Sequence, residues 1–312
     1  MEKEQRMMKM LVTTGDLSRH LTPNFHYLLN ELAGMVDLTV WYEPGSIQEI
    51  LSHLKIEPDF IFINEFRETN SPKITDLASL SIPYAVLLHD LHYEIEARTR
   101  ALKEEKVQYI FSLARDKFQQ WYPEFWKCFR WLPHHINTNV FKDYNLPKEI
   151  NYLLMGAVNE KWYPLRVRIL ETMKDKPGFV YHQHPNYRNF SNEEWATLFI
   201  GQNYAREINR SKIFITCGGV YDYPLAKYFE VLACKTLLLA PTSPDIEGLG
   251  FIPGIHFIPI NKDDFEEKAE YYLNHEKERL EIAQQGYDMV QARHSTTQRA
   301  IEFVNMIEEI LQ

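Results

Sequence analysis

Cysteine is scarce in this sequence, and no pair of cysteines has a metal-binding or redox spacing. There are three cysteines in 312 residues, and no two of them are spaced as C-x-x-C. A sparse, odd-numbered set argues against a disulfide framework and against a zinc cluster. The chain also has no uninterrupted run of about 18 apolar residues, and its first residues, MEKEQRMMKMLVTTG, lack the apolar stretch of a signal peptide. We therefore expect a cytoplasmic protein with no transmembrane segment.

The sequence also lacks an excess of basic residues. Its 34 Lys and Arg are outnumbered by 43 Asp and Glu, which gives a net charge of −9 and a pI of about 5.8. A nucleic-acid-binding protein usually has a basic footprint, so this total argues against a nucleic-acid partner.

The apolar fraction of 45% is ordinary for a globular protein. A length of 312 residues suits two domains better than one, because single cores stop growing near this size.

Two common nucleotide-binding fingerprints, G-x-G-x-x-G and G-x-x-x-x-G-K-[ST], are absent. The sequence has instead a regular alternation of short apolar runs with helical patterns. Runs such as KMLVTTG (9–15) and PDFIFIN (58–64) predict buried strands. Between them, TPNFHYLLNELAG (22–34) predicts a helix with Thr22 at its N-cap and Gly34 at its end. Continuous apolar strands separated by helices indicate a parallel sheet that helices cover on both faces.

This alternation occurs twice, on either side of a polar, proline-containing segment at 137–150. We therefore predict an α/β fold of two Rossmann-like, doubly wound domains that face a cleft. The first domain is predicted to span 1–148 and the second 149–295. The helix at 296–312 is predicted to pack back on the first domain. A long helical pattern within the second domain is expected to break near Gly201.

Polar residues follow several strands of the first half. In open parallel sheets, ligands bind beyond the carboxyl ends of the strands, so these residues are candidates for a functional site. His89 and Asp90 end the strand predicted at 82–90, and either could orient an acceptor or act as a general base. The alternative for this pair is a strand-end loop whose side chains bond nearby backbone. The further candidates, for which an ordinary loop position is again the alternative, are Asp16, His20 and Glu65.

The segment KIFITCGGVYDYPLAKYFEVLACKTLLLAP (212–241) combines a strand, two glycines and a helix. The glycines let the backbone approach a ligand closely, and Pro224 is predicted to open a helix whose free N–H groups favour an anion. On that helix Glu230 lies at the border of the apolar face, where its carboxylate could accept ribose hydroxyls. Lys227 lies in the same turn and could meet phosphates. The alternative is a solvated ion pair between these two side chains on the outside of a core helix.

Several stretches of the second half have the order and spacing found in one enzyme family. Asp222 and Glu230 have an acid-x7-Glu spacing, and WYPLRVRIL (162–170) and KYFEVLAC (227–234) add further matches. Together they resemble group 1 glycosyltransferases of the GT-B fold (family 4-like), and especially the bacterial branch of CgeB-like proteins. The sequence departs from that pattern twice, with Asp222 where many relatives have glutamate and Lys235 where a glycine is usual.

The resemblance implies a hexosyltransferase-type enzyme that moves a sugar from a nucleotide-diphosphate sugar to an acceptor hydroxyl. It implies that Glu230 holds the ribose and that Arg166 and Lys227 hold the diphosphate. The other donor-binding positions that it implies are Gly218, Gly219 and Asp222. A UDP- or GDP-sugar is the favoured donor, and the acceptor is an unknown glycan, small molecule or protein. No metal ion or other cofactor is required, and the two histidines in YHQHP (181–185) do not predict a metal site.

For the first half, the resemblance implies an acceptor-binding domain. Asp90, His89 and Asp16 are then the candidate catalytic residues, and His20 and Glu65 are the candidate acceptor-binding residues. The relatives suggest retention of configuration at the sugar, whereas the candidate base Asp90 leaves inversion open. Two alternatives remain, a non-catalytic nucleotide-sugar-binding protein of the same fold and a nucleotide-sugar epimerase.

Overall fold

The structure is a computed structural model, and it describes residues 6–65 and 71–312. The chain divides into two compact units. The first unit comprises Met1–Ser18, Phe25–Pro133 and Arg299–Gln312, and the second comprises Arg19–Asn24 and His134–Gln298. Residues 1–5 of the predicted first domain lie outside the described residues.

The first unit contains a six-stranded sheet in which every neighbouring pair of strands is parallel. In the order in which they lie in the sheet, its strands are β2 (Asp37–Trp41), β1 (Lys9–Thr13), β4 (Phe60–Ile63), β6 (Tyr84–Leu88), β7 (Tyr109–Ser112) and β8 (Phe129–Trp131). Two short strands, β3 (Gly45–Ser46) and β5 (Ile74–Thr75), pair with each other. The central strands β4 and β6 are buried along their whole length, as expected for a sheet covered on both faces.

Helices of the first unit are α1 (Asn24–Leu32), which belongs to it from Phe25 onward, α2 (Ile47–Leu54), α3 (Ile95–Glu104) and α4 (Arg115–Trp121). It also has 3₁₀ turns at Leu77–Ser79 and Pro123–Cys128. The last helix of the chain, α12 (Thr296–Leu311), joins this unit from Arg299 onward. Its apolar residue Phe303 is fully buried, and its ring centroid lies 4.8 Å from that of Phe62 and 5.4 Å from that of Phe111. The C-terminal helix is therefore part of the first unit's core.

The second unit contains a five-stranded sheet that is also entirely parallel. In sheet order, its strands are β10 (Phe179–Gln183), β9 (Ile150–Gly156), β11 (Ser211–Ile215), β12 (Leu237–Ala240) and β13 (Ile258–Pro259). Its helices are α5 (Pro164–Met173), α6 (Asn192–Thr197), α7 (Gly201–Asn209), α8 (Ala226–Ala233), α9 (Pro244–Gly248), α10 (Phe265–Asn274) and α11 (Glu276–Arg293). Among the helices in the described part of the chain, none has the length and apolar character needed to cross a membrane.

The predicted α/β class with parallel sheets is confirmed. The predicted break in the long helical pattern is also confirmed, because α6 ends at Thr197 and α7 begins at Gly201, whose φ of 50° lies in the left-handed region that favours glycine. Helix α3 was not predicted. Its only buried residues are Arg98 and Leu102, so no apolar stripe marks it in the sequence.

Helix α8 differs from its prediction in two respects. It begins at Ala226, so Pro224 precedes the helix and does not open it. It packs against α7, α11 and β12, and every residue from Tyr228 to Ala233 is buried. The expectation of one apolar face with Glu230 at its border is wrong for this reason, and the side of the helix that carries Glu230 is also covered.

Lys235 adopts the backbone conformation that the expected glycine would adopt. Its φ of 53° lies in the left-handed region, directly after α8 and its C-cap. A non-glycine residue in that region costs about 1 kcal/mol. The ion pair between Lys235 Nζ and Asp143 Oδ2, at 3.3 Å, offsets only part of this cost because both side chains are about one-third exposed. The departure at Lys235 therefore preserves the turn.

The strand orders place a topological switch point in each unit. In the first unit the chain runs from β1 to a neighbour on one side, β2, and returns to the neighbour on the other side, β4. In the second unit β9 has the same relation to β10 and β11. Ligands of open α/β sheets bind outside the carboxyl ends of the strands at such points. The residues that follow β1 and β4, and those that follow β9 and β11, are therefore the places to look for a site.

Removing the aromatic ring of Phe303 tests whether the C-terminal helix belongs to the first unit's core. We expect Phe303→Ala to lower the free energy of unfolding by about 3–5 kcal/mol, because a fully buried ring leaves a cavity. The measurement is urea unfolding followed by tryptophan fluorescence. The matched control is Ile301→Ala, since Ile301 on the same helix is 41% exposed. Equal effects of the two substitutions would contradict this packing.

Candidate functional site

Gly156 marks the switch point of the second unit. It ends β9 with a φ of 131°, in the range that favours glycine. A Cβ at this position would lie 3.2 Å from Arg166 Nη1 and 3.3 Å from Lys227 Cε. Two cationic side chains, one from α5 and one from α8, therefore meet at the end of β9, where a Cβ would crowd both.

Arg166 spans the switch point. It lies in the first turn of α5 and is 3% exposed. Its Nη2 donates to the carbonyl of Cys217 at 2.8 Å, and its Nη1 donates to the carbonyl of Ala157 at 3.2 Å. The ring of Tyr163 lies 4.0 Å from the guanidinium carbon. These contacts fix the guanidinium between the ends of β9 and β11, and Arg166 forms no ion pair with any described residue.

Lys227 is the second cation, in the first turn of α8. Burial, followed by the nearby charge of Arg166, lowers the pKa of Lys227 to about 8, while Glu230 acts in the opposite direction. Among the described residues Lys227 has no ion pair, and its nearest aromatic contact is the ring of Tyr204, 5.6 Å from Nζ. The alternative of a solvated Lys227–Glu230 ion pair is therefore wrong. The two like charges at Gly156 repel each other, and a bound anion would offset that repulsion.

Glu230 lies one turn further along α8 and is 8% exposed. Tyr204, on α7, donates a hydrogen bond from its hydroxyl to Glu230 Oε2 at 3.3 Å. Burial raises the pKa of Glu230, and Lys227 and the Tyr204 hydrogen bond partly oppose that shift. Its second oxygen, Oε1, accepts no hydrogen bond from the described residues. This oxygen is available to a ligand hydroxyl.

The loop between β11 and α8 contains the other predicted donor-binding residues. Gly218 is required because a Cβ there would lie 2.8 Å from the carbonyl oxygen of Tyr223. Gly219 has a φ of 77°, and a Cβ there would lie 2.9 Å from the carbonyl oxygen of Trp162. Both glycines are thus needed to fold the loop on itself. Asp222, at a φ of 52°, is exposed, and the structure does not bring its carboxylate into contact with Arg166 or Glu230.

A chain of hydrogen bonds crosses the switch point of the first unit. Thr14 Oγ1 donates to the carbonyl of Gly15 and accepts from Asn64 Nδ2 at 2.9 Å. Asn64 Oδ1 is then the acceptor for His89 Nε2, at 3.2 Å. This network places the imidazole proton on Nε2. The lone pair of His89 Nδ1 is left available as a base, since it has no hydrogen-bond partner among the described residues.

Glu65 and Arg98 hold the backbone of the His89–Asp90 turn. The carboxylate of Glu65, 1% exposed, accepts from the His89 amide at 2.8 Å and lies 3.6 Å from Arg98 Nη2. Arg98 Nη1 donates to the carbonyls of His89 and Asp90 at 2.8 and 3.1 Å. Asp90 itself is exposed and has a φ of 39°, a strained conformation for a residue other than glycine. Glu65, predicted to bind the acceptor, has its carboxylate engaged in this turn, which gives it a supporting role.

Asp16 and His20 lie in different units. Asp16 Oδ1 accepts from the Ser18 amide at 2.9 Å, and this bond lowers the pKa of Asp16, which makes it a weaker base. His20 belongs to the second unit, where it forms a bridge with Asn189 and its ring stacks on that of Tyr187 at 6.2 Å. Burial lowers the pKa of His20. Each of these two residues is therefore described within its own unit.

Several residues of the two candidate sites were missed by the sequence reasoning. Arg98 lies on a helix that the pattern did not reveal, and Tyr204 lies in the polar stretch GQNYAREINR (201–210), where nothing marks it as a site residue. Asn64 was indicated only by its position, because it directly follows β4 at the switch point. Within the described residues, no group of three or more His, Cys, Asp or Glu side chains is placed to hold a metal ion.

Comparison with known families gives a match in the second half of the chain. Residues 166–305 match a family model described as "Glycosyl transferase-like". The matched stretch begins at Arg166 and includes Lys227 and Glu230, and it covers less than half of the 312 residues. No curated protein sequence matches the chain.

Solved structures match over most or nearly all of the chain. A glycosyltransferase from Rickettsia africae ESF-5 is 10% identical with a TM-score of 0.63, and the match covers 99% of both chains. Anabaena Alr3699/HepE, solved in complex with UDP-glucose, is 9% identical with a TM-score of 0.67 over 97% of this chain and 100% of that one. Sucrose-phosphate synthase from Thermosynechococcus elongatus is 14% identical with a TM-score of 0.59 over 84% and 76%. At these identities the similarity shows a shared fold, and that fold is the one of GT-B glycosyltransferases.

Proposed function

We propose that the protein is a glycosyltransferase that transfers a hexose from a UDP- or GDP-sugar to an acceptor hydroxyl without a metal ion. The observation that carries the proposal is the pair of cations at Gly156. Arg166 and Lys227 converge there, and neither forms an ion pair with a described residue. Buried or half-buried cations without an acidic partner are costly, so this arrangement suits a ligand that brings its own negative charge.

The spacing from these cations to Glu230 suits a nucleoside diphosphate. Lys227 and Glu230 are one helical turn apart on α8, so a diphosphate at Lys227 and a ribose at Glu230 Oε1 are neighbours. A carboxylate accepts two hydroxyl hydrogen bonds, which is what a ribose offers. The Anabaena protein of the same fold was solved with UDP-glucose, which supports UDP as the first nucleotide to test. The match to the CgeB-like branch stays a proposal.

Leaving-group stabilisation in this proposal needs no metal. The diphosphate released on transfer carries the developing negative charge, and preorganised cations and N–H donors can stabilise it. Arg166 is held rigidly by two carbonyls, and the amides of Gly218 and Gly219 donate no hydrogen bond within the described residues. These groups would supply the charge stabilisation that a metal ion supplies in other transferases.

For the acceptor side we propose His89 as the general base and Asp90 as its partner in orienting the acceptor. The Asn64 hydrogen bond leaves the His89 Nδ1 lone pair available, and Asp90 is exposed beside it in a strained turn. Asp16 stays a proposed catalytic residue, and His20 stays a proposed acceptor contact. A cytoplasmic location likewise stays a prediction from cysteine usage.

The test of this function is turnover of a labelled donor panel. We expect release of UDP or GDP from at least one nucleotide sugar. The labelled sugar should appear as free sugar, after transfer to water, or attached to an added acceptor. Binding without turnover across the panel would indicate the non-catalytic alternative. Conversion of the sugar while it stays on the nucleotide, or its release as an altered free sugar, would indicate an epimerase.

Removing the charge of Glu230 tests the ribose contact. We expect Glu230→Gln to weaken UDP binding about tenfold, because an amide oxygen is a weaker acceptor for the ribose hydroxyls than a carboxylate. Isothermal titration calorimetry with UDP and 2′-deoxy-UDP measures the affinities, and the variant should distinguish the two ligands less than the parent protein does. Glu281→Gln, at an exposed position of α11, is the matched control. Unchanged discrimination in Glu230→Gln would refute the assignment.

The lowered pKa of Lys227 predicts a pH dependence of binding. Lys227 loses its charge as the pH rises through about 8, so the UDP affinity should fall above that pH, by up to about tenfold per pH unit. Calorimetry at pH 7, 8 and 9 measures this fall. The Lys227→Met variant should bind more weakly and lose this part of the pH dependence, and any titration of the nucleotide base appears equally in both proteins. Parallel pH profiles would rule out Lys227 as a diphosphate contact.

Replacement of His89 separates catalysis from donor binding. We expect His89→Ala to lower the rate of donor turnover by about 10²–10⁴-fold, the usual contribution of a general base, with the UDP dissociation constant changed less than about twofold. His53→Ala, an exposed histidine on α2, serves as the control. A rate within about threefold of the parent protein would exclude His89 as the base.

A further inference from the structure

His184 lies beside the two cations, although no sequence pattern predicts a role for it. The last residue of β10, Gln183, pairs with Gly156 in the register of the sheet. His184 therefore comes one residue beyond the sheet edge, next to the strand end where Arg166 and Lys227 meet. The neighbouring histidine of the same stretch, His182, is used differently, because its Nε2 bonds Glu207 Oε1 on α7 at 2.8 Å.

Local contacts fix the tautomer of His184. The backbone amide of Asn186 donates to His184 Nδ1 at 3.0 Å, so Nδ1 is an acceptor and the proton of the neutral ring lies on Nε2. The ring centroid of Tyr187 lies 4.7 Å away and limits the ring's movement. Nε2 has no hydrogen-bond partner among the described residues. The Nε2–H group is thus a preorganised hydrogen-bond donor that bonds no acceptor among the described residues.

Electrostatics keep this donor neutral. Burial, then the charge of Lys227, then that of Arg166, lower the pKa of His184 to about 4. Both cations therefore act on the ring, and it carries no charge at neutral pH. A third cation at the end of β9 would be repelled by the other two, whereas a neutral N–H adds a hydrogen bond without that repulsion.

We propose that His184 binds the diphosphate of the nucleotide-sugar donor through its Nε2–H, as a neutral donor beside Arg166 and Lys227. This assignment rests on the proposed function. The diphosphate is the group that matches the site, because its oxygens accept hydrogen bonds and its charge is attracted by the same two cations. Arg166 and Lys227 supply the charge, and His184 supplies a directed bond that selects the position of one phosphate oxygen.

The test compares UDP binding by the full-length parent protein and three variants. We expect His184→Ala to weaken UDP binding about tenfold, since a hydrogen bond to a charged group is lost. His184→Gln places an amide N–H near the position of Nε2 and should recover most of the affinity. Gln183→Ala, at the adjacent exposed position, should bind as the parent does. Thermal melting of each variant without ligand shows whether the fold is retained.

A second measurement does not depend on a variant. Nitrogen-detected NMR of the imidazole groups should show the Nε2–H tautomer of His184 in the free protein, assigned by its loss in His184→Ala. Addition of UDP should shift the His184 Nε2–H resonance much more than the His182 resonance, because the Nε2 of His182 is already hydrogen-bonded to Glu207.

The outcomes separate this inference from the proposed function. If the parent protein binds UDP and His184→Ala binds it equally well, the His184 assignment is overturned and the proposed function stands. If His184→Ala weakens binding of UDP-glucose but not of UDP, the contact is to the sugar and the diphosphate assignment is overturned. If the parent protein binds neither UDP nor GDP, both proposals fall.

Discussion

The guanidinium of Arg166 is the group on which the arrangement of the second unit's site depends. It donates to carbonyls at the ends of two strands, β9 and β11, and so satisfies backbone oxygens that the sheet itself leaves without partners. It is 3% exposed, and a Cβ at Gly156 would crowd it at 3.2 Å from Nη1. Arg166 also binds the carbonyl of Cys217, and the Gly218–Gly219 loop begins at the next residue. One side chain thus fixes the strand ends, the loop and the position of a positive charge.

The first unit also has an arginine at a strand end, but there a carboxylate balances its charge. Arg98 also donates to two carbonyls at a strand end, those of His89 and Asp90, but it has the buried carboxylate of Glu65 within 3.6 Å. Its charge is therefore compensated inside the protein. Arg166 has no such carboxylate among the described residues, and Lys227 adds a second positive charge beside it. The contrast distinguishes an arginine whose charge a buried carboxylate balances from one that has no such partner among the described residues, although both are buried and both bind strand-end carbonyls.

Most of the fold could be predicted from the sequence, because buried parallel strands form continuous apolar runs and the sheet requires helices between them. The elements that were missed carry little apolar signal. Helix α3 is the clearest case, since it buries only Arg98 and Leu102. Helix α8 was recognised, yet its complete burial was not, because the side that carries Glu230 is covered by elements distant in sequence. Periodicity reports the composition of a helix and cannot report what packs on its polar positions.

The candidate site was predictable to the extent that chemistry follows strand ends. Arg166, Lys227 and Glu230 were found through spacing and resemblance, whereas His184 and Tyr204 depend on neighbours that the sequence does not bring together. Burial, followed by the charges of Lys227 on α8 and Arg166 on α5, lowers the pKa of His184, and a backbone amide two residues further on fixes its tautomer. Tyr204 similarly fixes one oxygen of Glu230 and so leaves the other free for a ligand. The specificity of such a site lies in these supporting contacts, because the same cations and carboxylate, placed without them, would attract any small anion.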